Sequence, residues 1–234
     1  MTIHDIRAEA PRAKTLVLEV EDWAGHLPGQ HVDIRLTAED GYQAQRSYSI
    51  ASAPGSDRLE LTVERIDDGE VSPYLTEEAR PGDRFELRGP IGGYFVWDGA
   101  PDRALFLVGG GSGLVPLMAM LRHHRHIESG APAQLLLSVR ALEDILYRDE
   151  LAGLSARVGI RTTVTRGEVP PQWAGFTRRI DHEMLAETGP DPSARPHIYV
   201  CGPTPFVEEV ARLLVGLGHA PANVYTERFG PTGG

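Results

Sequence analysis

Hydrophobic and polar positions change rhythm part-way along this chain. From residue 12 to about residue 97, short runs alternate apolar and polar side chains: KTLVLEV, QHVDIRL, RSYSIAS, RLELTVER and DRFELRGP, separated by Gly, Pro and Asp clusters. A period of two marks a strand with one buried face, and several such runs at close spacing predict an antiparallel barrel or sandwich. Between the fourth and fifth runs, GEVSPYLTEEA predicts one short helix, capped by Ser72, with Pro73 in its first position and acidic residues in its early turns.

After WDGAPD the pattern becomes strand, then helix, repeatedly. RALFLVGG is a continuous apolar run, GLVPLMAMLRHHRH has helical spacing, and AQLLLSVR and IRTTVTR read as two further strands. HIYVCG, TPFVEEVARLLVGLG and NVYTERF complete the series, with Thr204 expected to cap the helix that Pro205 opens. Alternation of this kind predicts a parallel sheet with helices on both faces. Two domains follow, an antiparallel β unit over residues 1–99 and an α/β unit over residues 100–234.

A length of 234 residues allows two cores, and 41% hydrophobic with 24% charged residues excludes a mostly disordered chain. The net charge of −10 argues against a general nucleic-acid binder, which needs concentrated Lys and Arg. No run approaches the roughly 18 apolar residues of a membrane helix, and MTIHDIRAEAPRAK is no signal peptide, so no membrane insertion and a cytoplasmic location are expected. Cys201 is the only cysteine, which excludes an internal disulfide or a cysteine-held iron–sulfur cluster built from this chain.

Candidate chemistry sits at the ends of these elements. LFLVGGGSGL puts four glycines and a serine between a buried strand and a helix, where backbone N–H groups can approach a phosphate, although a merely tight turn has the same look and the spacing is not G-x-G-x-x-G. After the next strand, Ser138 and Arg140, with Arg166 at the end of the third, suit a 2′-phosphate better than a ribose hydroxyl would need; solvated loop arginines are the plainer reading. Cys201 reads as a small buried residue, since no base for a nucleophile stands nearby in sequence. His123, His124 and His126 lack further ligands at metal spacing and read as the exposed end of a helix, so no metal is expected. In QRSYSIAS, Arg46 and Ser49 are unusual tenants of a strand.

RSYS in an all-β half, GEVS at a helix start, GGGSG, YVCGP and a late ERFG form an ordered series that resembles the ferredoxin–NADP reductase family of flavoproteins over about residues 12 to 230. The resemblance implies a flavin-binding barrel followed by a nicotinamide-nucleotide domain. By position, Arg46 would pair with the FAD pyrophosphate beside Ser47, Tyr48 would pack on the flavin, and Ser49 would hydrogen-bond flavin N5. Val63 and Arg65 match further flavin contacts, and Gly69, Val71 and Ser72 match a phosphate-binding helix start. Gly110, Gly111, Ser112 and Gly113 match the NADPH pyrophosphate loop, and Ser138, Arg140 and Arg166 the 2′-phosphate pocket. Cys201, Gly202 and Pro203 match the nicotinamide wall, and Glu227 and Phe229 the flavin-side residues near the chain's end; unlike family members that end at an aromatic residue, this chain continues with PTGG.

The implied chemistry is hydride transfer from NADPH, in preference to NADH, to FAD, and then release of single electrons to a separate acceptor, a ferredoxin or an oxygenase component. Ser49, Cys201, Tyr48 and Glu227 are the expected catalytic set, with Cys201 as a positioning wall. Arg178 with Arg179, or the RHHRH segment, are candidates for a basic docking face. Two alternatives are a reductase that uses diffusible flavin and a non-catalytic flavin- or nucleotide-binding subunit. Because Arg46 and Tyr48 share one strand face and Ser49 the other, Ser49 is expected to reach the flavin through its backbone or at a strand bend.

Overall fold

A computed structural model describes residues 1–38 and 40–230. Six strands, β1 (Thr2–Ala10), β2 (Ala13–Glu19), β3 (His31–Thr37), β4 (Gln43–Ser49), β5 (Leu59–Glu64) and β6 (Glu86–Ile91), form the first half. They make two antiparallel three-stranded sheets, β1-β2-β5 and β4-β3-β6, stitched by pairings of Thr2 with Arg84 and Ile50 with Leu61. Leu16, Leu18, Val32, Ile34, Leu61 and Val63 are completely buried between the sheets. Each such side chain contributes about 1.5–3 kcal/mol by leaving water.

Strand β1 was not expected from the sequence. Its composition is polar, only Ile3 and the half-buried Ile6 join the barrel cluster, and register shifts at Ile3/Asp5 and Ala8/Ala10 break the two-residue period. The GEVSPYLTEEA segment also differs from expectation. It forms a five-residue π-helix, Tyr74–Glu78, with Pro73 before it and no side-chain cap. The Ser72 hydroxyl instead accepts the Ile66 N–H at 3.0 Å, which closes the loop entering the helix.

The second half holds a parallel sheet of β7 (Leu105–Gly110), β8 (Ala133–Val139), β9 (Val158–Val164), β10 (His197–Pro203) and β11 (Val224–Phe229), in the order β11-β10-β7-β8-β9. One face packs under α1 (Leu114–His126) and α2 (Arg148–Leu154), and the other under α3 (His182–Thr188) and α4 (Thr204–Gly216). The two seven-residue helices α2 and α3 are too short for helical spacing to stand out in sequence. Thr204 is the first residue of α4 and does not cap it; Pro203 precedes it and Pro205 lies in its first turn. The chain runs outward in opposite directions from the β7–β10 pair, and this reversal opens a crevice beyond the strands' carboxyl ends.

The halves are tied together by buried polar contacts. Thr15 of β2 and Thr62 of β5 share a hydrogen bond at 2.6 Å, and the buried Tyr147 hydroxyl bonds Thr62. Arg122 of α1 reaches Glu60 and the Ala51 carbonyl, each at 2.8 Å, and Glu150 at 2.6 Å. The Tyr199 hydroxyl donates to the Val96 carbonyl at 2.7 Å. These contacts fix where the crevice stands against the barrel.

Candidate functional site

On β4 the pairing with β3 sets which side chains share a face. Arg46 stands opposite Ile34 and Tyr48 opposite Val32, so both share the face of the barrel core, whereas Ser47 and Ser49 stand opposite Asp33 and His31. Tyr48 is half-buried against the barrel cluster, and burial raises its hydroxyl pKa despite the opposing charge of Arg46. Ser47 donates to Asp33 at 2.6 Å. Ser49 is the last residue of β4; at Ile50 the chain crosses to the other sheet, with Ile50 N–H on the Gln30 carbonyl and a bridge to Leu61. β4 stays regular through Ser49, and the first bend after it falls at Ser52.

Arg46 comes together with the loop before the π-helix. Its guanidinium donates to Glu70 at 2.7 Å, and Glu70 also accepts the Tyr42 hydroxyl. The Tyr42 hydrogen bond, and then that from Arg46, hold the exposed Glu70 carboxyl below its usual pKa. Sequence reasoning missed Glu70, which lies between Gly69 and Val71. The Gly69 N–H bonds the Ile66 carbonyl at 2.9 Å, and Val71 is fully buried in the barrel. Val63 is likewise buried, so only its backbone is offered. Arg65 pairs with Asp67 at 3.1 Å and with Glu77, while its Nε is buried without a partner.

At the crevice, Gly110 ends β7 and Gly111–Gly113 form a single 3₁₀ turn leading into α1. Gly111 has φ +57°, a left-handed conformation that favours glycine. A Cβ on Gly113 would lie 2.1 Å from the Cys201 carbonyl oxygen, so the loop and β10 touch backbone to backbone. The ring of Phe206 lies against both Gly110 and Gly202, where added Cβ atoms would stand 2.9 and 2.7 Å from its Cδ1. Phe206 was not singled out from the sequence; its signal is its place two residues after Thr204 at the helix start. Pro203 is exposed and pairs in register with the half-buried Phe229.

Cys201 is buried beside Glu227, its register partner on β11. Burial, and then the nearby Glu227 charge, raise the thiol pKa well above its ordinary value, so Cys201 is a neutral packing group. Burial also raises the Glu227 carboxyl to about 7, and its Oε2 is buried with no partner. Glu227 Oε1 faces His31 Nδ1 at 3.9 Å, which brings the ERF segment against the strand neighbour of Ser49. His31 was not singled out from the sequence; as the second polar residue of QHVDIRL it carried no motif. Residues Pro231–Gly234, the PTGG tail, lie outside the described residues.

Ser138, Arg140 and Arg166 also converge. The Arg166 N–H bonds the Arg140 carbonyl at 2.9 Å, and Thr165 bonds the Val139 carbonyl at 3.0 Å. Both arginines are exposed, and among the described residues neither side chain makes an ion pair.

The histidines are not an exposed helix end as expected. His124 is buried, bonded to the Ala131 carbonyl at 2.8 Å and stacked on Trp97, while His123 meets the edge of the same indole; only His126 is exposed. No group of three metal-ligating side chains occurs among the described residues. Arg178 is engaged by Asp181 at 2.5 Å and Glu183 at 3.2 Å, and Arg122 is buried between the halves. Arg178 and Arg122 are therefore compensated, while Arg179 and Arg125 of the same two segments stay exposed.

A barrel carrying a polar strand edge, docked on a parallel sheet whose glycine turn meets the crevice at its topological reversal, defines a flavin- and nucleotide-binding oxidoreductase architecture. The residues fit such groups: Gly111, at φ +57° with nothing within 4 Å of where a Cβ would stand, leaves its backbone open to a phosphate, and Glu227 Oε2 is an orphaned acceptor at the seam. The Oxidoreductase FAD-binding domain family matches residues 6–96 and the Oxidoreductase NAD-binding domain family residues 107–212. Ferredoxin–NADP reductase B of Sorangium cellulosum is 35% identical over 237 residues, covering 96% of this chain and 94% of that protein. The chain belongs to the ferredoxin–NADP reductase family. It is also 32% identical over 209 residues to the glycine betaine monooxygenase reductase subunit of Pseudomonas aeruginosa, covering 88% of this chain and 56% of that subunit, so it spans little more than half of that relative. The FAD/NAD-binding domain of nitric oxide dioxygenase from Vibrio cholerae superposes with a TM-score of 0.86 at 25% identity, covering 98% of both chains. No helix is long and apolar enough to cross a membrane among the described residues.

Proposed function

We propose that this chain is an NADPH-dependent FAD reductase that passes electrons one at a time to a separate redox protein, a ferredoxin or an oxygenase component. The observation that carries this reading is the meeting of Ser49 and His31 from the barrel with Cys201 and Glu227 from the parallel sheet at one seam. FAD bound there supplies the hydride acceptor and the step from two-electron to one-electron chemistry.

The protein's own residues hold and shield. Arg46, released from the exposed Glu70, offers a planar fork to a pyrophosphate, with Gly69 and Ser72 in the adjoining loop. Tyr48 offers a ring, and Ser49 a hydroxyl on the seam side. The Gly110–Gly113 turn offers close backbone approach to a second pyrophosphate, and Cys201, small and neutral, leaves room for a flat ring without competing as a nucleophile. Tyr199 and Tyr225 stack at 4.8 Å behind Cys201 and keep that wall rigid. NADPH is favoured over NADH because Ser138 and Arg140, in place of an acid, close β8, and Arg166 stands beside them.

Anaerobic titration of FAD-loaded protein tests the reading: NADPH bleaches the yellow colour, and faster than NADH does. A protein that takes up no FAD, or bound flavin that NADPH leaves yellow, refutes it.

A further inference from the structure

A cleft of about 850 Å³ lies at the joint between the halves, at the end of α1 away from the glycine turn. From Gly113 to Arg125 the helix rises about 18 Å, so this cleft is separate from the nucleotide crevice. Along it runs one chain of alternating charge. Arg7 of β1 donates to Glu60 of β5, Glu60 accepts from Arg122 of α1 at 2.8 Å, Arg122 also donates to Glu150 of α2 at 2.6 Å, and Glu150 faces Arg125 of α1 at 3.8 Å. Three guanidiniums thus share two carboxylates, in a protein whose net charge is −10. The middle of the chain is satisfied and its ends are not. Arg7 and Arg125 are 48% and 54% exposed, and the Arg125 guanidinium stands beyond hydrogen-bond reach of Glu150. The remaining arginine on the cleft, Arg58, is paired with Glu19 at 3.0 Å. The bulge in β1 shapes the facing wall: His4 has no partner on β2, so Ile3 and Ile6 stay turned to the barrel core while His4 and Asp5 both line the cleft. Asp5 and, from the loop between β4 and β5, Asp57 are carboxylates outside any ion pair among the described residues.

We propose that this cleft binds a small hydroxylated anion whose carboxylate or phosphate group joins Arg7 to Arg125, with its hydroxyls bonding Asp5 and Asp57. One more negative charge turns the open run from Arg7 to Arg125 into a closed ring, and each guanidinium has the planar fork that an oxyanion accepts. The anion gains these bonds without displacing a carboxylate, because Arg122 holds both Glu60 and Glu150 in place. Asp5 and Asp57 repel a ligand that is charged along its whole length, so a polyphosphate or a nucleic-acid backbone does not suit the site. The volume lies within the roughly 300–1,000 Å³ of small-molecule sites, which favour domain joints. Arg7 belongs to the barrel and Arg125 to the α/β half, so a bound anion clamps the two halves together, whatever chemistry the seam performs.

Isothermal titration calorimetry of the full chain at fixed ionic strength tests this with two pairs of probes, inorganic phosphate with glycerol 3-phosphate and succinate with malate. The second member of each pair adds hydroxyl donors. One pair should saturate at one site per chain, its hydroxylated member bound several-fold more tightly, and at ten times its Kd that member should raise Tm by about 4 °C. Saturation by the phosphate pair marks phosphate as the seated group and saturation by the other pair a carboxylate; either supports the site. Arg7→Gln and Arg125→Gln should each weaken binding about tenfold. Arg212→Gln, at an exposed arginine paired within α4, should leave it unchanged. The two cleft variants sit on different halves, so a folding defect in one leaves the other as the test. No saturable binding by any probe, or binding untouched by both variants, overturns the site. Binding lost in Arg140→Ala and kept in Arg7→Gln also overturns it, because the anion then sits in the nucleotide crevice. Equal affinities within both pairs overturn the part given to Asp5 and Asp57.

Discussion

Replacing Arg122 should loosen the two halves from one another. Its Nε lies 3.0 and 3.2 Å from the two Glu150 oxygens, Nη2 2.6 Å from Glu150, and Nη1 2.8 Å from both Glu60 and the Ala51 carbonyl, so one side chain bonds both domains. Its guanidinium also lies 5.0 Å from the centre of the Tyr147 ring. The side chain is 13% exposed, against 20% for Glu60 and 24% for Glu150. Burial opposes its charge, and the bonds and charge of Glu150, then of Glu60, more than reverse this, leaving its pKa above the ordinary range. Removing one partner from a buried ion pair costs about 3–5 kcal/mol because the remaining charges stay desolvated. Here Glu60 keeps Arg7 and Glu150 keeps Arg125 at 3.8 Å, and both carboxylates touch water, which sets the cost of Arg122→Met near the lower end, about 3 kcal/mol. Urea unfolding followed by flavin fluorescence for the barrel and by far-UV circular dichroism for the helices should change from coincident curves to two separated transitions. Arg122→Lys should recover only part of the loss, because a point donor cannot span Glu150, Glu60 and Ala51 together. A loss below about 1 kcal/mol with coincident curves would refute the argument that this residue couples the halves.

Three further outcomes are expected. Gly113→Ala drives a methyl group to 2.1 Å from the Cys201 carbonyl oxygen, so thermal unfolding should show a loss of about 3 kcal/mol or no folded protein, whereas Gly130→Ala, with open space around it, should be nearly neutral. Glu227 is raised from 4.5 to about 7, so between those values the folded protein holds a proton the unfolded chain has released, and stability falls as pH rises through that window. Glu227→Gln should therefore gain up to about 3 kcal/mol over the wild type at pH 8 and nothing at pH 4, in urea unfolding at the two pH values. Arg140→Ala should raise the KM for NADPH at least several-fold more than that for NADH in steady-state assays, and equal effects would remove Arg140 from nucleotide recognition.

What the sequence made legible follows from which interactions are local. Strand and helix periods depend on neighbours one to four residues apart, so the five alternating runs, the glycine turn after LFLVG and the parallel-sheet half could be read without the fold. Elements whose buried face is minimal could not, as with β1, where Ile3 alone is fully buried. Ser72 failed as a cap for a similar reason: an unpaired Ile66 N–H in the preceding loop competes for the same hydroxyl, and sequence does not show which donor is nearer.

The site divides along the same line. Arg46, Tyr48 and Ser49 were visible because one motif holds them, and alternation alone put Ser49 on the opposite face from the other two. Only the docking of the halves gives that opposition a meaning. The face of Ser49 is the one that carries His31, and His31 is where Glu227 arrives from the last strand, so the strand presents Arg46 and Tyr48 toward one side of the barrel and Ser49 toward the seam. A polar residue on the unexpected face of a strand is thus a marker of a second domain closing on it. The same reasoning explains why His31 stayed hidden: its one ionic neighbour belongs to the other half, and until the two halves dock it is an ordinary polar residue at the start of a strand.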